Sequence, residues 1–242
     1  MAEKITLGVI GGLGPIATAH FMELIIRMTE AHTDQEHLDM IIYNRPSIPD
    51  RTGYILAHSK PSPLPEMIRV GNALAGQGAA LIAIPCMTAH YFHRELRGFI
   101  AAPIVHAIHE TAVHLKKHGI TRVGIMATDG TIRSKLFQSE LQRHGMETVI
   151  PGPQGQKCVM SIIYDDIKAN RPADMEKFRF ASRDLREKGA QAIILGCTEL
   201  SLVKRDYPIG PGYLDAMEVL AQTCVLRCGG KLKEAYQELI SK

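Results

Sequence analysis

Ile5-Thr6-Leu7-Gly8-Val9-Ile10-Gly11-Gly12-Leu13-Gly14 is a short apolar, β-branched run that passes directly into glycines. Thr121-Arg122-Val123-Gly124-Ile125-Met126-Ala127-Thr128-Asp129-Gly130 repeats that order of residue types, with Gly124 opposite Gly8. A second pair follows: Gly78-Ala79-Ala80-Leu81-Ile82-Ala83-Ile84-Pro85-Cys86-Met87-Thr88 aligns with Gly189-Ala190-Gln191-Ala192-Ile193-Ile194-Leu195-Gly196-Cys197-Thr198, which sets Cys86 opposite Cys197. A third, looser pair joins Ile104-Val105-His106-Ala107-Ile108 to Tyr213-Leu214-Asp215-Ala216-Met217. One such match between α/β units carries little weight. Three in the same order predict two similar α/β halves.

Outward from those runs, short apolar stretches alternate with helical patterns, as in parallel sheets covered on both faces. Strands are expected at 5–10, 38–43, 80–84, 103–106, 122–127, 146–150, 192–195 and 213–214, and helices at 16–30, 65–75, 109–118, 135–144, 174–188 and 216–228. The expected architecture is α/β: two pseudo-symmetric domains, each a parallel sheet flanked by helices, with a site in the cleft between them. The first domain is expected to take residues 1–116 plus 209–242 and the second 117–208. Five prolines between Pro46 and Pro65 read as a loop with freedom to move.

Composition narrows the function classes. With 242 residues, 45% of them hydrophobic and 22% charged, the chain reads as an ordinary globular protein rather than a disordered or fibrous one. Lys and Arg number 28 against 25 Asp and Glu, too even a balance for a nucleic-acid or anionic-membrane partner. Trp is absent and no apolar run reaches membrane-spanning length. Met1-Ala2-Glu3-Lys4 leads into the first strand without the apolar stretch of a signal peptide. Five cysteines, an odd count without secretory spacing, predict free thiols and a cytoplasmic location.

Cys86 and Cys197 each stand just past the carboxyl end of an expected strand, the edge where open α/β sheets bind ligands. If the halves face one another, the thiols approach one cleft from opposite sides. A thiolate on one face of a carbon and a thiol on the other suit inversion of a stereocentre. The first removes a proton, the second supplies one, and the pair titrates as a unit. Such a proton must lie next to a carboxylate or carbonyl, so the site needs donors that strengthen as charge develops. Thr88, Thr198 and the Gly11–Gly14 loop, followed by Pro15 in a first helical turn, offer such donors.

At these residues the chain resembles the cofactor-independent aspartate/glutamate racemase family, and within it the aspartate racemases. The resemblance rests on Gly11-Gly12-Leu13-Gly14-Pro15, on Asn44 through Arg51-Thr52, on Pro85-Cys86-Met87-Thr88-Ala89-His90, on Ala127-Thr128-Asp129-Gly130-Thr131 and on Gly196-Cys197-Thr198-Glu199. It implies two pseudo-symmetric α/β domains, an amino-acid substrate, no pyridoxal phosphate, no metal and a homodimer. It assigns catalysis to Cys86 and Cys197, the substrate's side-chain carboxylate to Arg51, and aspartate selectivity to Lys168. Further substrate contacts are expected from Gly12, Asn44, Thr88, Thr128, Thr131 and Thr198. One position departs from the family pattern: Met87 stands where Asn is usual, so no amide donates there.

Plainer readings stand beside these. A strand-end Cys is most often packing, and Cys158 is read that way. Cys224 and Cys228, four apart on a helix, lack a second ligand pair for a metal. Glu199 is left without a role, because a carboxylate beside a thiol opposes thiolate formation. His90 reads equally as a helix-face residue or a partner behind the site; His106 and Asp215 read as structural, and the remaining histidines show no paired ligand spacing. Gly12-x-Gly14-x-x-Ala17 fits a dinucleotide fingerprint, yet the next strand ends in Tyr43-Asn44-Arg45 without the expected acid. The leading function is two-base racemisation of an acidic amino acid, with aspartate first. Alternatives are a racemase or isomerase for a different amino acid, and an amino-acid-binding sensor on the same scaffold.

Overall fold

A computed structural model describes residues 4–57 and 61–241. Strands β1 (Leu7–Gly11), β2 (Met40–Asn44) and β3 (Leu81–Ala83) form a parallel sheet in the order β2-β1-β3. Strands β4 (Arg122–Met126), β5 (Glu147–Val149), β6 (Ala192–Leu195) and β7 (Tyr213–Asp215) form a second, in the order β5-β4-β6-β7 and again parallel. Ile82 in β3 also bridges in parallel to Ile104, at the place β7 takes beside β6. The three sequence matches are therefore three matched steps of one topology.

The helices are α1 (Pro15–Met28), α2 (Arg51–Ala57), α3 (Leu64–Gly76), α4 (His93–Phe99), α5 (Ala107–Lys117), α6 (Asp129–Arg133), α7 (Leu136–Arg143), α8 (Pro153–Ser161), α9 (Met175–Glu187), α10 (Thr198–Asp206) and α11 (Ala216–Arg227). A 3₁₀ stretch, Met87–Phe92, precedes α4, and a π-helical turn, Ile162–Ile167, continues α8.

Strand β1 shows why its sequence carries no polar alternation. Leu7 and Val9 face a core shared with Val123 and Ile125 of β4, while Ile10 faces a separate core with Leu74 and Ile82. Met126 of β4 likewise turns to an outer core with Leu185 and Ile193. Both central strands are thus apolar on two faces, as parallel strands between helical layers must be. The glycines opposite each other are explained by the same packing. A Cβ on Gly8 would lie 2.8 Å from Ala79 Cβ and 3.2 Å from Leu74 Cβ; one on Gly124 would lie 3.1 Å from Ala190 Cβ and 3.3 Å from Leu185 Cβ. Ala79 and Ala190, like Leu74 and Leu185, are separated as Cys86 and Cys197 are, so the repeat extends to helix-on-strand contacts.

Three expectations need correction. Residues 103–106 make one bridge at Ile104 rather than a strand. The 209–242 segment, assigned to the first domain, gives its strand β7 to the second sheet, where Ile193, Ile194 and Leu195 pair with Tyr213, Leu214 and Asp215. Its helix α11 instead joins α1 and α5 in the shared core, where Val219, Val225, Phe21 and Leu115 are buried. The proline-rich stretch holds helix α2, because Asp50 Oδ1 accepts the Gly53 N–H at 2.6 Å and caps it. Residues 58–60 of that stretch lie outside the described residues.

Candidate active site

The carboxyl ends of the central strands meet around one small cavity. Its walls include Leu13 after β1, Asp50, Arg51 and Thr52 at the start of α2, Cys86, Met87 and Thr88 after β3, and Thr128 after β4. Tyr164, Lys168, Cys197, Thr198 and Glu199 complete it from the second half. The cavity volume is about 10 Å³, enough for one water molecule. Cys86 and Cys197, each 6% exposed, occupy N-cap positions of the helical segments that begin at Met87 and Thr198. A helix N-terminus favours a negative charge, so both sulfurs sit where a thiolate gains support.

The surroundings of the two thiols differ. Arg51 interacts with the Cys86 side chain. Its Nη1 donates to the carbonyls of Ile48 at 3.3 Å and Pro49 at 3.1 Å, and its Nη2 to that of Leu13 at 2.8 Å. Carbonyls hold the guanidinium in place without neutralising it, and among the described residues Arg51 forms no ion pair with a carboxylate. Burial works against the cation, but the attraction of Cys86 and Asp50 outweighs it and raises the Arg51 pKa. The result is a fixed, buried positive charge beside Cys86.

On the other side, Cys197 Sγ donates to Glu199 Oε2 at 2.8 Å, and Thr198 Oγ1 donates to the same oxygen at 3.3 Å. Burial first, and then the Glu199 carboxylate, push the Cys197 thiol well above its ordinary pKa. Lys168 Nζ stands 3.9 Å from Glu199 Oε1 and 4.4 Å from the Tyr164 ring centroid. Burial lowers the Lys168 pKa, but Glu199 and Cys197 more than offset it, so Lys168 stays an ammonium. Gly14 packs here too: a Cβ on it would lie 3.3 Å from Glu199 Oε1.

A closed triangle of hydroxyls spans the two halves. Thr88 Oγ1 lies 3.0 Å from both Thr128 Oγ1 and Thr131 Oγ1, which are 3.1 Å apart. Across the same seam, Gly130 of α6 packs on Thr52 of α2; a Cβ there would come within 3.0 Å of Thr52 Cα. Tyr164 Oη reaches Asp50 Oδ2 at 3.5 Å, a long contact between the π-helical turn and the α2 cap.

Of the residues expected at the site, Cys86, Cys197, Arg51, Lys168, Thr88, Thr128 and Thr198 line the cavity, and Thr131 stands directly behind Thr88. Two expected contacts do not. Gly12 turns its amide inward to Thr18 Oγ1 at 2.9 Å, and its φ of +87° fits the chain against the backbone of Arg45. Asn44 closes β2 at the sheet edge and is exposed. Sequence reasoning passed over Asp50, Thr52 and Tyr164. The spacing of Tyr164 from Lys168 was the available signal, since residues four apart share a helix face. Glu199, given no role earlier, is 2% exposed and bonded to a thiol.

The geometry can be set beside known proteins. The profile of the Asp/Glu/hydantoin racemase family matches residues 10–224. The chain is 26% identical over 226 residues to the broad specificity amino-acid racemase RacX of Bacillus subtilis (strain 168), covering 90% of this chain and 96% of that one. Its structure is similar to that of Picrophilus torridus aspartate racemase, with a TM-score of 0.84 and 29% identity over 97% of this chain and 99% of the other. A glutamate racemase from Francisella tularensis subsp. tularensis SCHU S4, at 17% identity, shares the fold with a TM-score of 0.65 over 93% of this chain and 81% of that one. With a family match that spans nearly the whole chain and both cysteine-bearing halves, this protein belongs to the Asp/Glu/hydantoin racemase family.

Proposed function

We propose that the protein interconverts the enantiomers of an acidic amino acid, aspartate foremost, by proton transfer between two thiols without pyridoxal phosphate. The observation that carries this reading is that Cys86 and Cys197 line one cavity together with two cations, the buried Arg51 and the partly exposed Lys168. Two carboxylates on the substrate match two cations in the wall, with Arg51 taking the side-chain carboxylate. The hydroxyls of Thr88, Thr128 and Thr198 and the amides at the helix N-termini suit the α-carboxylate, whose charge grows as the Cα proton leaves.

The unequal surroundings of the sulfurs give each a role in one direction of the reaction. Cys86, beside the Arg51 guanidinium, removes the proton, and Cys197, bonded to Glu199, delivers one to the opposite face. One turnover leaves Cys86 protonated and Cys197 ionised, a state that Lys168 supports. The reverse reaction starts from that state. Ionising both thiols together is opposed by their mutual repulsion.

Either aspartate enantiomer, incubated with the protein in D2O, should yield the opposite enantiomer carrying deuterium at Cα. Inversion with retention of the original α-hydrogen would exclude exchange through thiols. A second reading, turnover of a wider range of amino acids, draws on Met87, an apolar wall residue, and on the similarity to a broad specificity racemase. A panel of amino acids separates the two: aspartate alone, or aspartate among many. The homodimer and the cytoplasmic setting that the family resemblance and the free thiols imply belong to the same proposal, and sedimentation measures the first.

A further inference from the structure

Histidines that are scattered in sequence converge in the fold. The rings of His90, His93, His106, His109 and His144 form a continuous row, with neighbouring centroids 4.1 to 6.3 Å apart. At its outer end His109, from the first turn of α5, meets Glu140 and His144 at the end of α7. Glu140 and His144 are four residues apart and so share a helix face. His109 Nδ1 lies 2.7 Å and His144 Nε2 lies 3.4 Å from the same carboxylate oxygen, Glu140 Oε1. The three potential ligand atoms all fall within 4.8 Å of one another.

We propose that His109, Glu140 and His144 bind a divalent transition-metal cation of the zinc class at the seam between α5 and α7, apart from the thiol cavity. Two imidazoles and one carboxylate are a donor set that zinc accepts, with a fourth position left for water. Ligand atoms about 2.1 Å from an ion in tetrahedral geometry stand roughly 3.4 Å apart. The His144 contact already has that separation, and the His109 contact needs to open by well under 1 Å. Each imidazole ligates as its neutral tautomer, with the proton on the far nitrogen.

The carboxylate is prepared for this role. Arg143 Nη1 holds the other oxygen, Oε2, at 3.2 Å and leaves Oε1 to the imidazoles. The base of His109 is also fixed, because its backbone N–H donates to His106 Nδ1 at 3.1 Å. None of the three ligands lines the cavity that holds the cysteines. An ion here would tie α5, which follows the first sheet, to α7 within the second half.

Calorimetric titration of Zn2+ into the tag-free, metal-stripped protein should show one equivalent bound at micromolar concentration. The double variant Cys86→Ser/Cys197→Ser should retain that equivalent, which separates it from binding by the two cavity thiols. His109→Ala and His144→Ala should each weaken it at least about tenfold. Both positions are partly exposed, so the variants are expected to fold, and their unfolding midpoints without metal verify this. A hundredfold excess of Zn2+ over its dissociation constant should raise the wild-type midpoint by about 5 °C or more and leave the double variant His109→Ala/His144→Ala unmoved. Substituting Co2+ should give the visible absorption of a four-coordinate nitrogen and oxygen site, without a sulfur charge-transfer band. Absence of binding, binding that survives loss of both histidines, or binding that disappears with the cysteines would each overturn the proposal.

Discussion

Glu199 and Arg51 make the two thiols unlike, and each can be tested separately. Removing the carboxylate in Glu199→Gln takes away the second largest cause of the raised Cys197 pKa. The Cys197 thiol should then ionise at lower pH, and the alkaline limb of the kcat/KM profile should move down with it. Titration of thiolate absorbance in the ultraviolet measures the same shift directly, and an unchanged titration would remove Glu199 from control of Cys197. Arg51 demands a gentler change than alanine, because truncation would orphan the buried carbonyls of Leu13 and Ile48, each at a cost of about 1–3 kcal/mol, and the part-buried carbonyl of Pro49. Arg51→Lys keeps the charge and loses the planar fork. It should reduce kcat/KM for aspartate by roughly tenfold or more while changing that for alanine far less, a difference of about 1.4 kcal/mol in recognition. Equal losses on both substrates would take Arg51 out of side-chain recognition.

Short helices deliver most of the cavity wall, and their packing sets its shape. Gly130→Ala would force a methyl to within 3.0 Å of Thr52 Cα and displace α2, which carries Arg51. Overpacking of this kind costs about 1–3 kcal/mol, and here KM should rise along with the loss of stability. Gly8→Ala, with its nearest contact at 2.8 Å, should destabilise more than Gly124→Ala at 3.1 Å; denaturant midpoints rank the two. Helix α11 adds a pH dependence. Burial first, and Asp215 next, lift Glu218 from 4.5 to about 7 despite its Lys204 partner. The folded chain therefore keeps a proton that the unfolded chain has lost, and stability declines as pH rises from about 4.5 to about 7. In thermal unfolding, the wild-type midpoint should fall relative to that of Glu218→Gln across this window. The helices legible in the sequence were α1, α3, α5, α7, α9 and α11, all of them expected, though α7 has only eight residues. Helices α2, α4, α6, α8 and α10 have five to nine residues, so each offers a short stretch of pattern, and none was expected. Cap chemistry was the readable signal instead, as in Asp50 with Gly53 and Thr128 with Thr131.

At the scale of the molecule, duplication explains both what the sequence disclosed and what it concealed. Matched apolar runs revealed two sheets of one topology and put the two cysteines at equivalent strand ends. Equivalence concealed their difference, because the residue two beyond Cys86 is Thr88, in a hydroxyl triangle, while the residue two beyond Cys197 is Glu199, bonded to sulfur. The repeat also concealed the exchange in the last segment, whose strand serves one sheet while its helix fills the core common to both. A cavity of about 10 Å³ cannot take an amino acid, so the walls must part for binding, and the seam between α2 and α6 and the Tyr164–Asp50 contact are the boundaries available. Once closed, the site would exclude water from the exchanging proton.

The two-thiol reading makes its sharpest claim about exchange without inversion. Cys86→Ser and Cys197→Ser should each lower racemisation of aspartate by at least about a thousandfold. In D2O, each variant should still exchange the α-proton of one enantiomer with retention, and the enantiomer should differ between the two variants. Loss of inversion with opposite enantiomer preferences is the predicted result; near-normal racemisation by either variant, or the same preference in both, would contradict it.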